Sequence, residues 1–102
     1  MHRSTEFKTL SVLIPVYNEA RTLRRLISAV LASPVPLQLE LICVDDCSKD
    51  ATPEILAELA AADSRIKVFR HEVNKGKGAA IRTAISHMTG DIAIVQDADL
   101  EY

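Results

Sequence analysis

The 102-residue chain lacks the features that would place it in several specialised classes of protein. Its longest stretch without charged residues, Leu26–Leu39, is too short to cross a membrane and is interrupted by Pro34 and Pro36. The first ten residues contain no apolar segment of the length found in signal peptides. The sequence therefore predicts a protein that is neither secreted nor inserted in a membrane.

Net charge and cysteine are also scarce. The 12 Lys and Arg residues nearly balance the 14 Asp and Glu residues, and they are scattered along the chain. Without a basic stripe, a nucleic acid is not expected as a partner. Cys43 and Cys47 have no further Cys or His placed to complete a zinc site. We expect both to be reduced thiols of a cytoplasmic protein.

Short apolar runs alternate with helical patterns along the chain. This alternation is typical of an α/β fold with a parallel sheet, and the continuously apolar strands indicate that helices cover both faces of the sheet. Asn18 and Thr52 are predicted N-caps of the first two helices. Strands are predicted over Leu10–Val16, Leu39–Val44, Ile66–Arg70 and Ile92–Val95, and helices over Glu19–Ala32, from Thr52 onwards and over Ala79–Met88.

Polar residues cluster where three of the predicted strands end: at Tyr17 to Glu19, at Asp45 and Asp46, and at Asp97 to Asp99. In a Rossmann-like sheet of order 3-2-1-4, these ends share one edge, and ligands bind there between strands one and four. A single Asp in such a position is commonly a helix cap or a turn former. Together, the acids predict a pocket that gathers carboxylates from three segments.

Several carboxylates in one pocket would repel one another, so a bound cation is the simplest compensation. Asp97 and Asp99 flank a small residue, Ala98, in a predicted tight turn. Carboxylate oxygens suit Mg²⁺ or Mn²⁺. Because the sequence supplies no complete cage of ligands, we expect the phosphates of a substrate to complete the coordination.

The segment from Asn74 to Gly78 is predicted to be a turn that starts a helix. It lacks the third glycine of a dinucleotide-binding fingerprint and the Gly-Lys-Ser/Thr ending of a P-loop. His71 and His87 are predicted to be exposed residues at element ends, away from the acids. The sequence therefore offers no histidine paired with an acid as a general base.

Five segments in order carry a family resemblance: residues 13–19 (LIPVYNE), 44–50 (VDDCSKD), 74–78 (NKGKG), 90–91 (GD) and 96–100 (QDADL). Together they resemble the family 2 glycosyltransferases of GT-A fold over nearly the whole chain. Residues 97–102 (DADLEY) are most similar to the branch of dolichyl-phosphate mannose synthase, whose members transfer a hexose from a nucleotide sugar to a polyprenyl phosphate.

The resemblance implies roles for individual residues. Asp46 would contact the base or the ribose, and Glu101 would add a metal contact. Cys47 and Ala51 stand where relatives commonly have glycine, and a positive φ at Cys47 would strain the turn by about 1 kcal/mol. The implied nucleotide pocket comprises Pro15, Tyr17, Glu19, Val44 and Asp46, and the diphosphate and its Mg²⁺ or Mn²⁺ would be held by Asp97, Ala98 and Asp99.

The implied function is hexosyl transfer from a GDP- or UDP-hexose to a polyprenyl phosphate, an anionic acceptor that needs little help from a general base. Family members continue well past the Asp97 to Asp99 turn. We therefore expect residues 1–102 to be the N-terminal nucleotide-sugar-binding part of a longer enzyme, either truncated or a partial gene product, and inactive alone. The complete enzyme could lie at the cytoplasmic face of a membrane, and surfaces left uncovered could make the chain a homo-oligomer.

Two other interpretations stay open. A non-catalytic nucleotide-binding or interaction module could keep the fold and lose the chemistry. A phospho-accepting receiver domain would use Asp45 and Asp46 as its acidic pocket. That pocket needs its acid pair after the first strand and a lysine near a fifth strand, and neither condition is met.

Overall fold

Four parallel strands form one sheet in the computed structural model, which describes residues 7–98. The sheet order is β3-β2-β1-β4, which confirms the predicted order. All four predicted strands are present, and β3 and β4 have the predicted bounds. The elements are β1 Thr9–Val16, α1 Leu23–Leu31, β2 Gln38–Asp45, α2 Thr52–Ala62, β3 Ile66–Arg70, α3 Lys77–His87 and β4 Ile92–Val95.

The helices lie on opposite faces of the sheet. Side chains of α1 and α2, among them Leu23, Ile27 and Leu56, are buried with Val12 and Ile14 of β1. The opposite face of β1 and β2 packs on Ala80 and Ala84 of α3. The first two crossovers therefore lie on one face and the third on the other, so the direction of winding reverses between β1 and β4. In open α/β sheets, such a reversal creates a crevice at the carboxyl ends of the strands.

Helices cover both faces of the sheet at β1 and β2, as predicted. Among residues 7–98, β4 has β1 as its strand neighbour and lies at the edge of the sheet, where Ala93, Ile94 and Val95 are all exposed. A continuously apolar run cannot distinguish a central strand from an edge strand that is apolar on both faces. Ile94 nevertheless lines a groove with residues of β1 and α1.

The two predicted N-caps are also wrong. α1 begins at Leu23 with Thr22 as its N-cap, and Asn18 has a left-handed φ of 51° in the loop that precedes it. α2 is capped by Ala51, so Thr52 is the first helical residue. The side chain of Thr52 instead accepts a hydrogen bond from the amide of Glu19. The side chain of Asn18 likewise accepts from the amide of Lys49, so both side chains join two loops and neither caps a helix.

Within residues 7–98, no helix has the length and apolar character needed to cross a membrane.

Candidate functional site

A cavity of about 420 Å³ opens at the carboxyl edge of the sheet, the edge at which β1, β2 and β4 end. Five of the predicted site residues line it: Pro15, Tyr17, Glu19, Asp46 and Asp97. The other lining residues are Val16, Asn74, Gly76, Lys77 and Ala80.

Of the other four predicted site residues, the two that the structure describes do not line the cavity. Val44 is fully buried in β2 and packs on the α3 side of the sheet, and Ala98 is buried in the core on the opposite side. Asp99 and Glu101 lie outside the described residues. The structure thus brings together residues at the carboxyl ends of β1 and β2 with Asp97, which follows β4.

The loop after β1 is tied to the loop after β2. The amide of Asn18 donates to Ser48 Oγ at 2.8 Å, and Asn18 Oδ1 accepts from the amide of Lys49 at 2.8 Å. One residue further on, the amide of Glu19 donates to Thr52 Oγ1 at 3.0 Å. These bonds fix the backbone at Asn18 and Glu19, so the cavity wall that Tyr17 and Glu19 form is preorganised.

Asp46 is held by the segment that precedes α3. Its Oδ1 accepts from the amide of Lys75 at 2.9 Å and its Oδ2 from the amide of Gly76 at 2.8 Å. Oδ1 also contacts Nδ1 of His71 at 2.8 Å. Burial raises the pKa of Asp46, but these three hydrogen bonds outweigh burial and hold the pKa below its ordinary value. Asp46 is therefore a fixed, ionised acceptor in the cavity wall.

The prediction for His71 is wrong, whereas His87 is exposed as predicted. His71 is only 8% exposed, and it pairs with Asp46. It directly follows β3, so it lies at the same sheet edge as the acids. The expected absence of a histidine paired with an acid is therefore also wrong. The sequence did contain a signal for this position, because His71 comes one residue after a predicted strand and could have been assigned to the same sheet edge as the acids.

The two acids at the end of β2 do not need a cation to compensate their charge, contrary to the prediction. Asp45 is ion-paired with Arg70, the residue opposite it in β3, and it also accepts from the amide of Ser48. Asp46 is satisfied by His71 and two backbone amides. Protein groups therefore compensate both carboxylates.

The segment from Asn74 to Gly78 is a turn that leads into a helix, as predicted, although α3 begins at Lys77, two residues earlier than expected. Gly76 caps the helix with a φ of 97°, a conformation that glycine adopts without strain. Because the amides of Lys75 and Gly76 donate to Asp46, they are not available to cradle a phosphate.

Asp97 lies at the cavity with its side chain 49% exposed, and its Oδ2 accepts from Lys77 Nζ at 2.6 Å. A half-exposed carboxylate beside the cavity has the donor chemistry that Mg²⁺ or Mn²⁺ requires. Between residues 7 and 98, no group of three or more His, Cys, Asp or Glu side chains is arranged to hold a metal ion. Asp97 is thus the described member of the predicted metal-binding set.

Comparison with known proteins confirms the family resemblance. The family model described as "Glycosyl transferase family 2" matches residues 11–102. The undecaprenyl-phosphate 4-deoxy-4-formamido-L-arabinose transferase of Edwardsiella ictaluri is 39% identical over 103 residues, which cover 95% of this chain and 32% of that protein. The corresponding transferase of Klebsiella pneumoniae is 39% identical over 97 residues, covering 92% of this chain and 30% of that protein. The chain spans about a third of the length of these curated relatives.

Solved structures confirm the fold class. A mannosyltransferase of Pyrobaculum calidifontis in complex with GDP-Man and Mn²⁺ superposes with a TM-score of 0.81 at 27% identity, covering 94% of this chain and 28% of that one. S. aureus TarS in complex with UDP-GlcNAc superposes with a TM-score of 0.78 at 28% identity, covering 90% of this chain and 26% of that one. Both are much longer than the present chain.

Proposed function

The chain belongs to glycosyltransferase family 2, and we propose that residues 1–102 are the N-terminal nucleotide-sugar-binding part of a hexosyltransferase. The main support for the proposal is the cavity at the carboxyl edge of the sheet, because both Asp46 and Asp97 line it. A nucleotide sugar needs an acceptor for its base or ribose and a site for its diphosphate. Asp46 is proposed for the first role and Asp97 for the second.

The hydrogen bonds of Asp46 support its proposed role. A carboxylate offers about four lone-pair sites. Three donors occupy Asp46: the ring of His71 and the amides of Lys75 and Gly76. One site is left for an N–H of a base or a hydroxyl of a ribose. Because the carboxylate is already fixed, the ligand would not have to order it on binding.

Asp97, with Asp99 and Glu101 as the family resemblance implies, would hold a Mg²⁺ or Mn²⁺ ion. When bound, such an ion supplies positive charge that offsets the charge of the nucleoside diphosphate as it leaves. Lys77 lies beside Asp97 in the same lining and contributes a second positive charge next to the proposed diphosphate position.

The proposed acceptor of the complete enzyme is a polyprenyl phosphate. The curated relatives are named for transfer to undecaprenyl phosphate. A phosphate monoester is already anionic near neutral pH, so it can attack without a strong general base. The His71–Asp46 pair is not proposed as that base, because His71 is buried and both of its ring nitrogens have partners within the protein.

Calorimetric titration tests the proposal. The chain is titrated with GDP-mannose and with UDP-glucose, each in the presence of Mn²⁺ and again with a chelator. We expect one donor to bind in a metal-dependent way, and we expect Asp97→Asn and Asp99→Asn each to weaken that binding at least about tenfold, as loss of a hydrogen-bonding or coordinating charge does. The donor that binds identifies the nucleotide.

Asp63→Asn is the matched control, since Asp63 precedes β3 at the opposite edge of the sheet and pairs with Arg65. It should bind the donor as the parent chain does. Failure of the folded parent chain to bind either donor would overturn the proposed donor site.

A further inference from the structure

His71 is a buried, titratable side chain that the proposed chemistry does not use. It does not line the cavity, yet it touches Asp46, which does. Its Nδ1 lies 2.8 Å from Asp46 Oδ1, and its Nε2 lies 2.8 Å from Thr83 Oγ1. A line of hydrogen bonds therefore runs from the third helix, through the imidazole, to the cavity wall.

The partners of the ring define its hydrogen bonds. An ionised carboxylate can only accept, so Nδ1 of His71 carries a hydrogen and donates to Asp46. The hydroxyl of Thr83 can either donate or accept, so it satisfies Nε2 whether or not that nitrogen carries a hydrogen. The bond to Asp46 is thus kept in both charge states of the ring.

Loss of this bond would change how firmly the carboxylate of Asp46 is held. Without His71, Oδ1 would keep the amide of Lys75 as a donor and Oδ2 would keep the amide of Gly76. Both remaining donors belong to adjacent residues of one backbone segment, the turn before α3. The carboxylate would then follow any movement of that turn, because the terminal torsion of an Asp side chain has a broad energy profile and resists such movement little.

We propose that His71 is a positioning residue for donor recognition: with Thr83 behind it, it fixes the carboxylate of Asp46 in the orientation that accepts a hydrogen bond from the nucleotide. This inference rests on the proposed function, because it needs Asp46 to contact the nucleotide. It adds a residue outside the cavity lining to the determinants of nucleotide affinity.

Three substitutions of His71 separate positioning from packing. Asn can place an N–H close to the position of Nδ1, Gln can place one close to the position of Nε2, and Leu has neither. We expect His71→Asn to bind UDP or GDP, whichever the parent chain binds, within about threefold of the parent. His71→Gln and His71→Leu should bind about tenfold to a hundredfold more weakly, the loss typical of a hydrogen bond to a charged group.

Two further variants and one spectrum complete the test. Thr83→Val removes the hydroxyl that is hydrogen-bonded to Nε2 of His71. It should weaken nucleotide binding less than His71→Leu does. His87→Asn replaces an exposed histidine of α3, the helix that carries Thr83, and should leave nucleotide affinity unchanged. The ¹⁵N shifts of the His71 ring should show a protonated Nδ1 in the free chain. Thermal unfolding, followed in parallel, shows which variants are folded.

The outcomes are distinct. Equal affinity in all three His71 variants, or equal losses in folded Asn and Leu variants, would overturn the positioning role while leaving the proposed donor site intact. Failure of the parent chain to bind either nucleotide would overturn both. If His71→Leu does not fold, the comparison of Asn with Gln decides the question.

Discussion

Cys47 is held in a conformation that its side chain disfavours. Its φ is 67°, in the left-handed region, where a Cβ atom approaches a carbonyl oxygen. The positive φ predicted as a possible source of strain at this position is therefore present. The thiol is buried and donates to the carbonyl oxygen of Glu72 at 3.4 Å. Packing of the loop after β2 maintains the strained backbone.

Substitution of Cys47 separates the contribution of the thiol from the strain that the Cβ atom causes. Cys47→Ala and Cys47→Gly both remove the sulfur, but Cys47→Gly also removes the Cβ atom. We expect Cys47→Gly to be more stable than Cys47→Ala by about 1 kcal/mol in urea unfolding, because glycine adopts positive φ without strain. An alanine variant as stable as the glycine variant would show that the turn carries no strain.

Glu40 is a buried carboxylate that joins three segments. Its side chain accepts from Ser11 Oγ of β1, from the amide and hydroxyl of Thr89 before β4, and from Lys67 Nζ of β3. Burial raises the pKa of Glu40, but hydrogen bonds from Lys67, Thr89 and Ser11 outweigh it and lower the pKa from 4.5 to about 2. The ionised form thus stabilises the fold.

The sign of the pH dependence follows from the lowered pKa. The folded state binds the proton less tightly than the unfolded state, so the stabilisation is fully present above pH 4.5 and is lost as the pH falls towards about 2. We expect Glu40→Gln to destabilise the chain by about 2 to 3 kcal/mol at pH 7 and to flatten the acid limb of its stability profile.

The control for Glu40 is Glu58→Gln, which removes an exposed ion pair with Arg24 and should change the free energy of unfolding by less than about 0.5 kcal/mol. Equal stability of Glu40→Gln and the parent chain at pH 7 would contradict the assigned role of Glu40.

At the scale of elements, the sequence predicts the strands and helices well and their connections poorly. β3 and β4 begin and end at the predicted residues. The start of α1 does not follow its helical pattern, because the amides of Asn18, Glu19 and Ala20 donate to side chains about thirty positions away, those of Ser48, Thr52 and Asp50. Bonds between distant loops leave no periodic signal in the sequence.

Substitution of Thr52 tests the hydrogen bond between the loop after β1 and the segment after β2. Thr52→Val keeps the shape of a fully buried side chain but removes the acceptor for the amide of Glu19. We expect a loss of about 1 to 3 kcal/mol in unfolding free energy, the cost of an unsatisfied buried donor. Donor affinity should also fall, since Glu19 lines the cavity.

Ser28→Ala, on the exposed side of α1, is the control and should change neither quantity. Full donor affinity in a folded Thr52→Val variant would show that the loop link does not organise the cavity.

At the scale of the whole molecule, the arrangement of the sheet brings the candidate site residues together. Apolar runs joined by helical crossovers predict parallel strands, and parallel strands end at a common edge. Asp46 and Asp97 could therefore be assigned to one pocket from the sequence. Their partners could not, because His71 and Lys77 reach the acids from segments 25 and 20 positions away. The orientation of a carboxylate depends on such partners.

A donor site at the carboxyl edge of the sheet can be tested by locating the bound metal and nucleotide on the chain. A ¹⁵N-labelled sample is recorded with a trace of Mn²⁺ and with UDP or GDP, and the paramagnetic broadening of each amide signal is measured. We predict strong broadening at the carboxyl edge, at Tyr17, Lys77 and Asp97, that depends on the nucleotide. Amides at the opposite edge, such as Gln38 and Arg65, should be unaffected. Broadening spread over the whole chain, or centred at that opposite edge, would contradict a donor site at the ends of β1 and β4.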